Sequence, residues 1–140
     1  MEVHKIQTIH REGMAFSTDM HGHEIMIDAE EQFGGNGKGP RPKHLLLKSL
    51  AGCTGMDVVS LLKKMRVEFS NFEIDVAGEL TDEHPKYYHT ITLEYRVKLT
   101  NEKDQAKFEK AVNLSQDRYC GVSYMLKQAA EIKYHITYFN

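Results

Sequence analysis

The run Pro42-Lys43-His44-Leu45-Leu46-Leu47-Lys48-Ser49-Leu50-Ala51-Gly52-Cys53-Thr54-Gly55-Met56-Asp57-Val58-Val59-Ser60-Leu61-Leu62 decides how the rest of the chain is read. Leu46, Leu50, Cys53, Met56 and Ser60 recur at helical spacing, while Leu47, Ala51, Val58, Leu62 and Met65 carry apolarity round the cylinder. Such a helix is expected at the centre of a fold. Pro42 suits its first turn, and Lys63, Lys64 and Arg66 place positive charge at its C-terminus, where the helix dipole favours it. Lys48 and Asp57 interrupt the segment and Gly52 and Gly55 loosen it, so a buried helix is expected rather than a membrane span. Glycine inside a helix costs roughly 1 kcal/mol relative to alanine, so Gly52 and Gly55 mark a place where something approaches closely.

Upstream lie three short strands, His4 to Ile9, Met14 to Asp19 and Glu24 to Ala29, separated by turn signals at Arg11-Glu12-Gly13 and His21-Gly22. The stretch Gly34-Gly35-Asn36-Gly37-Lys38-Gly39-Pro40-Arg41-Pro42 is too rich in glycine and proline for regular structure and reads as a mobile loop. Downstream, Phe72, Ile74 and Val76 alternate in one strand, and Ile91 to Leu99 form a second, with the turn around Asp82-Glu83-His84-Pro85. An amphipathic helix follows from about Glu102 to Val112. Ser115 is a candidate N-cap for another through Ala130, and Ile132, Tyr134, Ile136 and Tyr138 alternate in a last strand. The order βββ-α-ββ-α-α-β predicts one α+β domain over residues 1–140, in which an antiparallel sheet wraps the apolar helix.

The 140 residues are 41% apolar and 27% charged with a formal net charge of -2, as in ordinary globular chains. No basic excess is present to neutralise phosphates, so neither nucleic acid nor a membrane surface is expected as a partner. MEVHKIQTIHREG contains no apolar core of a secretory signal, and a cytoplasmic location is expected. In that compartment two cysteines read as reduced thiols or a redox pair.

Cys53 sits among small residues, where it serves either as a packed core thiol or as a reactive one. Cys120 is expected about one turn into the helix that Ser115 caps, where unpaired N–H groups lower a thiol pKa. Arg118 adds positive charge nearby and Asp117 opposes it. The cysteines form no CxxC unit, so pairing depends on the tertiary fold. His21-Gly22-His23 lacks further ligands at recognised spacing, and no metal or organic cofactor is expected. The Gly34 to Gly39 stretch lacks the GK[ST] ending of a phosphate loop.

The run from Pro42 to Val59 resembles the helix that carries the first cysteine of OsmC/Ohr proteins. Leu114-Ser115-Gln116-Asp117-Arg118-Tyr119-Cys120-Gly121-Val122-Ser123 resembles the segment that carries the second. The element order agrees along essentially the whole chain, with the OsmC-like branch the nearest match. The resemblance implies an intertwined homodimer and a peroxidase of organic hydroperoxides serving the oxidative stress response. In that scheme the Cys53 thiolate takes the distal peroxide oxygen and becomes a sulfenic acid. Cys120 condenses with it to a disulfide, and an external dithiol restores the pair. The family's oxyanion-stabilising arginine corresponds to Arg11, in Arg-Glu-Gly. The glutamate that orients this arginine is absent, because Lys43 and His44 follow the proline instead. Glu12 or Glu31 could hold Arg11 in its place, or Lys43 could supply the positive field, with Arg41 a second cation. Loss of the acidic residue favours the rival reading, a non-catalytic dimer that binds an apolar small molecule or senses redox state.

Overall fold

A computed structural model describes residues 1–139. Its backbone contacts group into two compact units, Met1–Leu46 and Leu47 onward, each described by itself. The first holds an antiparallel sheet of β1 (Thr8–His10), β2 (Phe16–Met20) and β3 (His23–Ile27) in that order. β2 and β3 meet through a two-residue turn in which His21 (φ 56°) and Gly22 (φ 83°) both lie in the left-handed region, the geometry that matches the twist of a hairpin. Residues 4–7 stand outside β1, so the first strand is shorter than expected.

The glycine-rich segment is tied down rather than mobile. Buried Asp28 accepts N–H hydrogen bonds from Ala29 (2.7 Å), Asn36 (3.2 Å) and Lys38 (3.0 Å), and its own N–H donates to Pro40 O at 3.1 Å. The donors hold its carboxyl below the usual carboxylate range, Lys38 N–H most of all. A Cβ on Gly35 would stand 1.8 Å from Ala29 O, and one on Gly39 2.3 Å from Met26 O. Two of these glycines therefore admit backbone onto backbone, a role the composition does not distinguish from flexibility.

The helix α1 (Pro42–Lys64) runs on into the second unit, with β4 (Phe69–Leu80), β5 (Tyr88–Leu99), α2 (Gln105–Leu114), α3 (Gly121–Lys127) and β6 (Glu131–Tyr138). These strands form a sheet ordered β4-β5-β6, with β5 antiparallel to β4 and parallel to β6. The α+β class agrees with the sequence, but the wholly antiparallel sheet does not. The chain passes through α2 and α3 before β6, and a crossover of that length returns a strand parallel to its neighbour.

Leu50, Thr54, Val58 and Leu62 succeed one another at i, i+4 along α1, and all are fully buried. They join Ile91, Leu93, Tyr95 and Val97 of β5 and Phe108, Ala111 and Val112 of α2 in one core. By length and composition α1, 23 residues long and containing an 18-residue window with a mean hydropathy of 1.5, also meets the requirement for a bilayer span. A core helix passes the same test, and its Leu50-to-Leu62 stripe packs against β5.

The helix is central to its unit but not covered on every side, since Met56 is 76% and Val59 42% exposed. Together with Lys48, Ala51, Gly52, Gly55, Phe72 and Ile74 they border an open groove of roughly 660 Å³. Of the two helix glycines, Gly55 marks a close approach, because its Cβ would meet Ile74 Cδ1 at 3.2 Å. Gly52 meets nothing within 4 Å.

Candidate functional site

Cys53 and Asp57 lie one helical turn apart on α1, so their side chains share a face. Opposite stands the segment after α2. Helix α2 does not stop at Ser115 but continues through a π turn, Ser115–Tyr119, before the chain turns extended at Cys120 (φ -77°, ψ 102°). Ser115 is therefore no N-cap. Its hydroxyl is needed elsewhere, and Cys120 itself caps α3 by accepting the Ser123 N–H at 3.3 Å.

These placements gather Cys53 Sγ, Cys120 Sγ and an Asp57 carboxylate oxygen within 4.8 Å of one another. Both thiols are free, Cys53 half-buried and Cys120 buried. A disulfide needs its sulfurs about 2.05 Å apart, so the pair must approach further to close. The Cys120 pKa goes the opposite way from the expected one. The Ser123 N–H does lower it, but burial outweighs that donor and pushes the thiol up to about 11, helped by the neighbouring Cys53 thiol and the Asp57 charge. The trio is a thiol–thiol–carboxylate set, whereas a structural zinc site takes four protein donors.

A chain of buried hydroxyls and amides surrounds the trio. Ser115 Oγ donates to Asp57 Oδ2 at 2.9 Å, and Thr54 Oγ1 lies 2.7 Å from both Ser115 Oγ and Tyr95 OH. Gln116 Nε2 donates to Tyr95 OH at 2.7 Å, and Ser123 Oγ donates to Gln116 Oε1 at 2.7 Å. The donors can be assigned along the whole chain. Gln116 donates into Tyr95, so the Tyr95 proton is free for Thr54, the Thr54 proton for Ser115, and the Ser115 proton for the carboxylate. Burial raises the Tyr95 pKa, consistent with a neutral phenol donating at this point. Among the described residues no buried side-chain polar atom lacks a partner.

Asp57, Thr54, Tyr95 and Gln116 were not singled out from the sequence. The Cys-x-x-x-Asp spacing on a helix could have found Asp57, since it puts a carboxylate one turn from a thiol. Nothing local marks Tyr95, which reads as one more inward residue of a strand.

The predicted cations lie in the first unit. Arg11 Nε donates to Ser17 Oγ at 2.7 Å, and Arg11 borders a recess of roughly 180 Å³ with Asp19 and Glu24. Asp19 and Glu24, a cross-strand pair of β2 and β3, are the acidic residues that share this recess with it. Arg41 pairs with Glu30 at 3.1 Å and meets His44 Nε2 at 3.1 Å, and Lys43 is exposed.

An α+β fold that presents two reduced thiols, one on a long helix and one after a π turn, defines a class of thiol proteins. The sequence profile described as OsmC-like protein matches residues 35–135. Protein YhfA of Escherichia coli K12 is 35% identical over 123 residues, covering 86% of this chain and 87% of that one. The chain belongs to the OsmC-like family. A crystal structure of a hypothetical protein from Aquifex aeolicus VF5 is 31% identical, covers 100% of both chains and superposes with a TM-score of 0.81. The organic hydroperoxide resistance protein OsmC of Legionella pneumophila shares the fold at 12% identity, with a TM-score of 0.68 over 98% of this chain and 99% of that one.

Proposed function

We propose that the protein is a thiol-dependent peroxidase of organic hydroperoxides, built as one OsmC-like domain over residues 1–140 and serving an oxidative stress response in the cytoplasm. The observation that carries this reading is the approach of the Cys53 and Cys120 sulfurs to within 4.8 Å. The name of the Legionella relative speaks for hydroperoxides in that protein and supports the same substrate class here. Cys53 is the less buried sulfur and takes the peroxidatic role. Its thiolate attacks the distal oxygen, alcohol departs, and the sulfenic acid condenses with Cys120. A dithiol from outside then reduces the disulfide by exchange. The family resemblance gives Arg11 the part of the cation that stabilises the departing alkoxide, and within its own unit the Arg11 Nε donates to Ser17 Oγ. The exposed apolar groove along α1 supports the intertwined homodimer, which light scattering of the purified protein tests.

The test is thiol titration before and after one equivalent of cumene hydroperoxide, with turnover measured beside a dithiol. Wild type loses both thiols to a disulfide. Cys53→Ser consumes no peroxide, and Cys120→Ser performs one turnover and stalls at sulfenic acid. Wild-type turnover in both variants would sink the peroxidase reading. The groove then favours the alternative, a non-catalytic dimer that binds an apolar small molecule or reports redox state.

A further inference from the structure

Closing the thiol pair requires a proton to leave a buried sulfur, and the surroundings of that sulfur restrict where it can go. The hydroxyls of the buried chain beside the pair are committed: Tyr95 to Thr54, Thr54 to Ser115 and Ser115 to Asp57. The Gln116 amide is committed at both ends, to Tyr95 and Ser123. None of these groups is a base. The carboxylate of Asp57, within 4.8 Å of both sulfurs, is the acceptor left in this trio. Asp57 also borders a recess of roughly 300 Å³ with Ser60, Leu61, Lys64 and Tyr119, which connects it to solvent.

We propose that Asp57 takes the proton of Cys120 as the disulfide forms and delivers it to the group that leaves Cys53. This rests on the reading of Cys53 and Cys120 as a working redox pair. In the peroxide cycle the reactants are the Cys53 sulfenic acid and the Cys120 thiol. The Cys120 S–H bond breaks and its proton moves to Asp57. The sulfur pair of electrons forms the S–S bond, and the Cys53 S–O bond breaks with its electrons on the departing hydroxide. The Asp57 proton completes a water molecule, so one disulfide and one water result, with no further oxidant or reductant. When Cys53 instead carries an external thiol in a mixed disulfide, that S–S bond breaks with its electrons on the departing thiolate, and the same proton makes it a free thiol. The need for a base follows from burial, which holds the Cys120 thiol up at about 11, so that little thiolate exists near neutral pH. The titratable groups facing Asp57 are the two thiols and, across the recess, Lys64 and Tyr119, while Tyr95 reaches it through Thr54 and Ser115.

The experiment mixes the reduced full-length protein with cumene hydroperoxide or, separately, with oxidised glutathione, and follows Cys53–Cys120 disulfide formation by acid quench and mass spectrometry across pH. Wild type is expected to close at a rate that varies little around neutrality. Asp57→Asn should be roughly 100-fold slower there, in line with general-base contributions. Its deficit should shrink with rising pH as hydroxide takes over the ionisation of Cys120. Asp57→Glu, which keeps a carboxylate, should recover most of the rate, and Ser115→Ala should keep the wild-type pH profile. A deficit in Asp57→Asn that is equal at every pH, or absent, overturns the proposal, as does a Ser115→Ala profile that copies Asp57→Asn. The two oxidants separate the levels of failure. Closure with oxidised glutathione but not with hydroperoxide removes the peroxidase reading and leaves the role of Asp57 standing if the pH profiles hold.

Discussion

Two aspartates, Asp28 in the first unit and Asp57 in the second, differ in what surrounds their carboxylates. Asp28 is buried and accepts three backbone N–H bonds that knit the glycine-rich segment to the end of β3. Asp57 is half-buried, accepts one hydroxyl from Ser115, lies beside two sulfurs and borders a recess with Lys64 and Tyr119. A carboxylate filled with donors is held as an anion and has little left to do but hold its loop. One with free lone pairs beside ionisable groups can exchange a proton with them. The contrast separates a residue that builds from one that acts, and each end of it can be broken by substitution.

The largest effect on stability is expected where the Asp28 loop passes closest to other backbone. Gly35→Ala puts a methyl 1.8 Å from Ala29 O, a clash that only a backbone shift relieves. A loss of about 3 kcal/mol is expected in urea unfolding, the upper range for overpacking. A loss below about 0.5 kcal/mol would mean that the loop moves freely, as its composition alone suggests. Next comes Tyr95→Phe, which removes the hydroxyl shared by Thr54 and Gln116 and leaves the Gln116 donor without its acceptor in the core. About 2 kcal/mol is expected in the same assay, the cost of an unsatisfied buried donor.

Much of this architecture was legible in the sequence because periodicity reports burial. The strand alternation and the helix spacing place nearly every element, and the two cysteines that the sequence singles out come together in the structure. What escaped depended on tertiary contacts. The segment Gly34 to Pro42 looks mobile until Asp28, outside it in sequence, supplies the hydrogen bonds that fix it. Ser115 looks like a helix cap, yet α2 continues past it, because its hydroxyl bonds Asp57 and Thr54 across 58 and 61 residues of chain. Cys120 looks as if a helix N-terminus should acidify it. The core that buries it contains residues from β5 and α2, which no local window contains, and burial decides the sign. The parallel pairing of β6 is likewise set by the crossover and not by anything in its own alternation.

Asp28→Asn should fall between Tyr95→Phe and the last substitution. Asn36 N–H and Lys38 N–H both approach Oδ2, so an amide must either present its NH₂ to them or turn it on Ala29 N–H. The pH dependence has a defined sign. The folded-state pKa of Asp28 is lowered, so its contribution is present above the unfolded value of about 3.9 and is lost as pH falls through the folded value. Urea midpoints measured on the acid side should therefore fall more steeply for wild type than for Asp28→Asn. Parallel slopes would show that Asp28 is not held as an anion by the loop.

The smallest effect on stability is expected from Asp57→Asn, and its smallness is the other half of the contrast. The side chain is half-buried, and the one hydrogen bond it accepts comes from a neutral hydroxyl, Ser115 Oγ, which an asparagine carbonyl can accept equally well. Among the described residues no backbone N–H donates to it, and the volume is nearly unchanged. The urea midpoint at neutral pH should stay within about 0.5 kcal/mol of wild type, the range of substitutions that break no core feature. Disulfide closure in the same variant should slow by roughly 100-fold. Stability and rate would then part company at Asp57. At Asp28, stability falls and closure keeps its wild-type pH profile. A stability loss above about 2 kcal/mol in Asp57→Asn would place it with Asp28 as a builder, because a slowed closure could then follow from a displaced helix turn rather than from a missing proton acceptor.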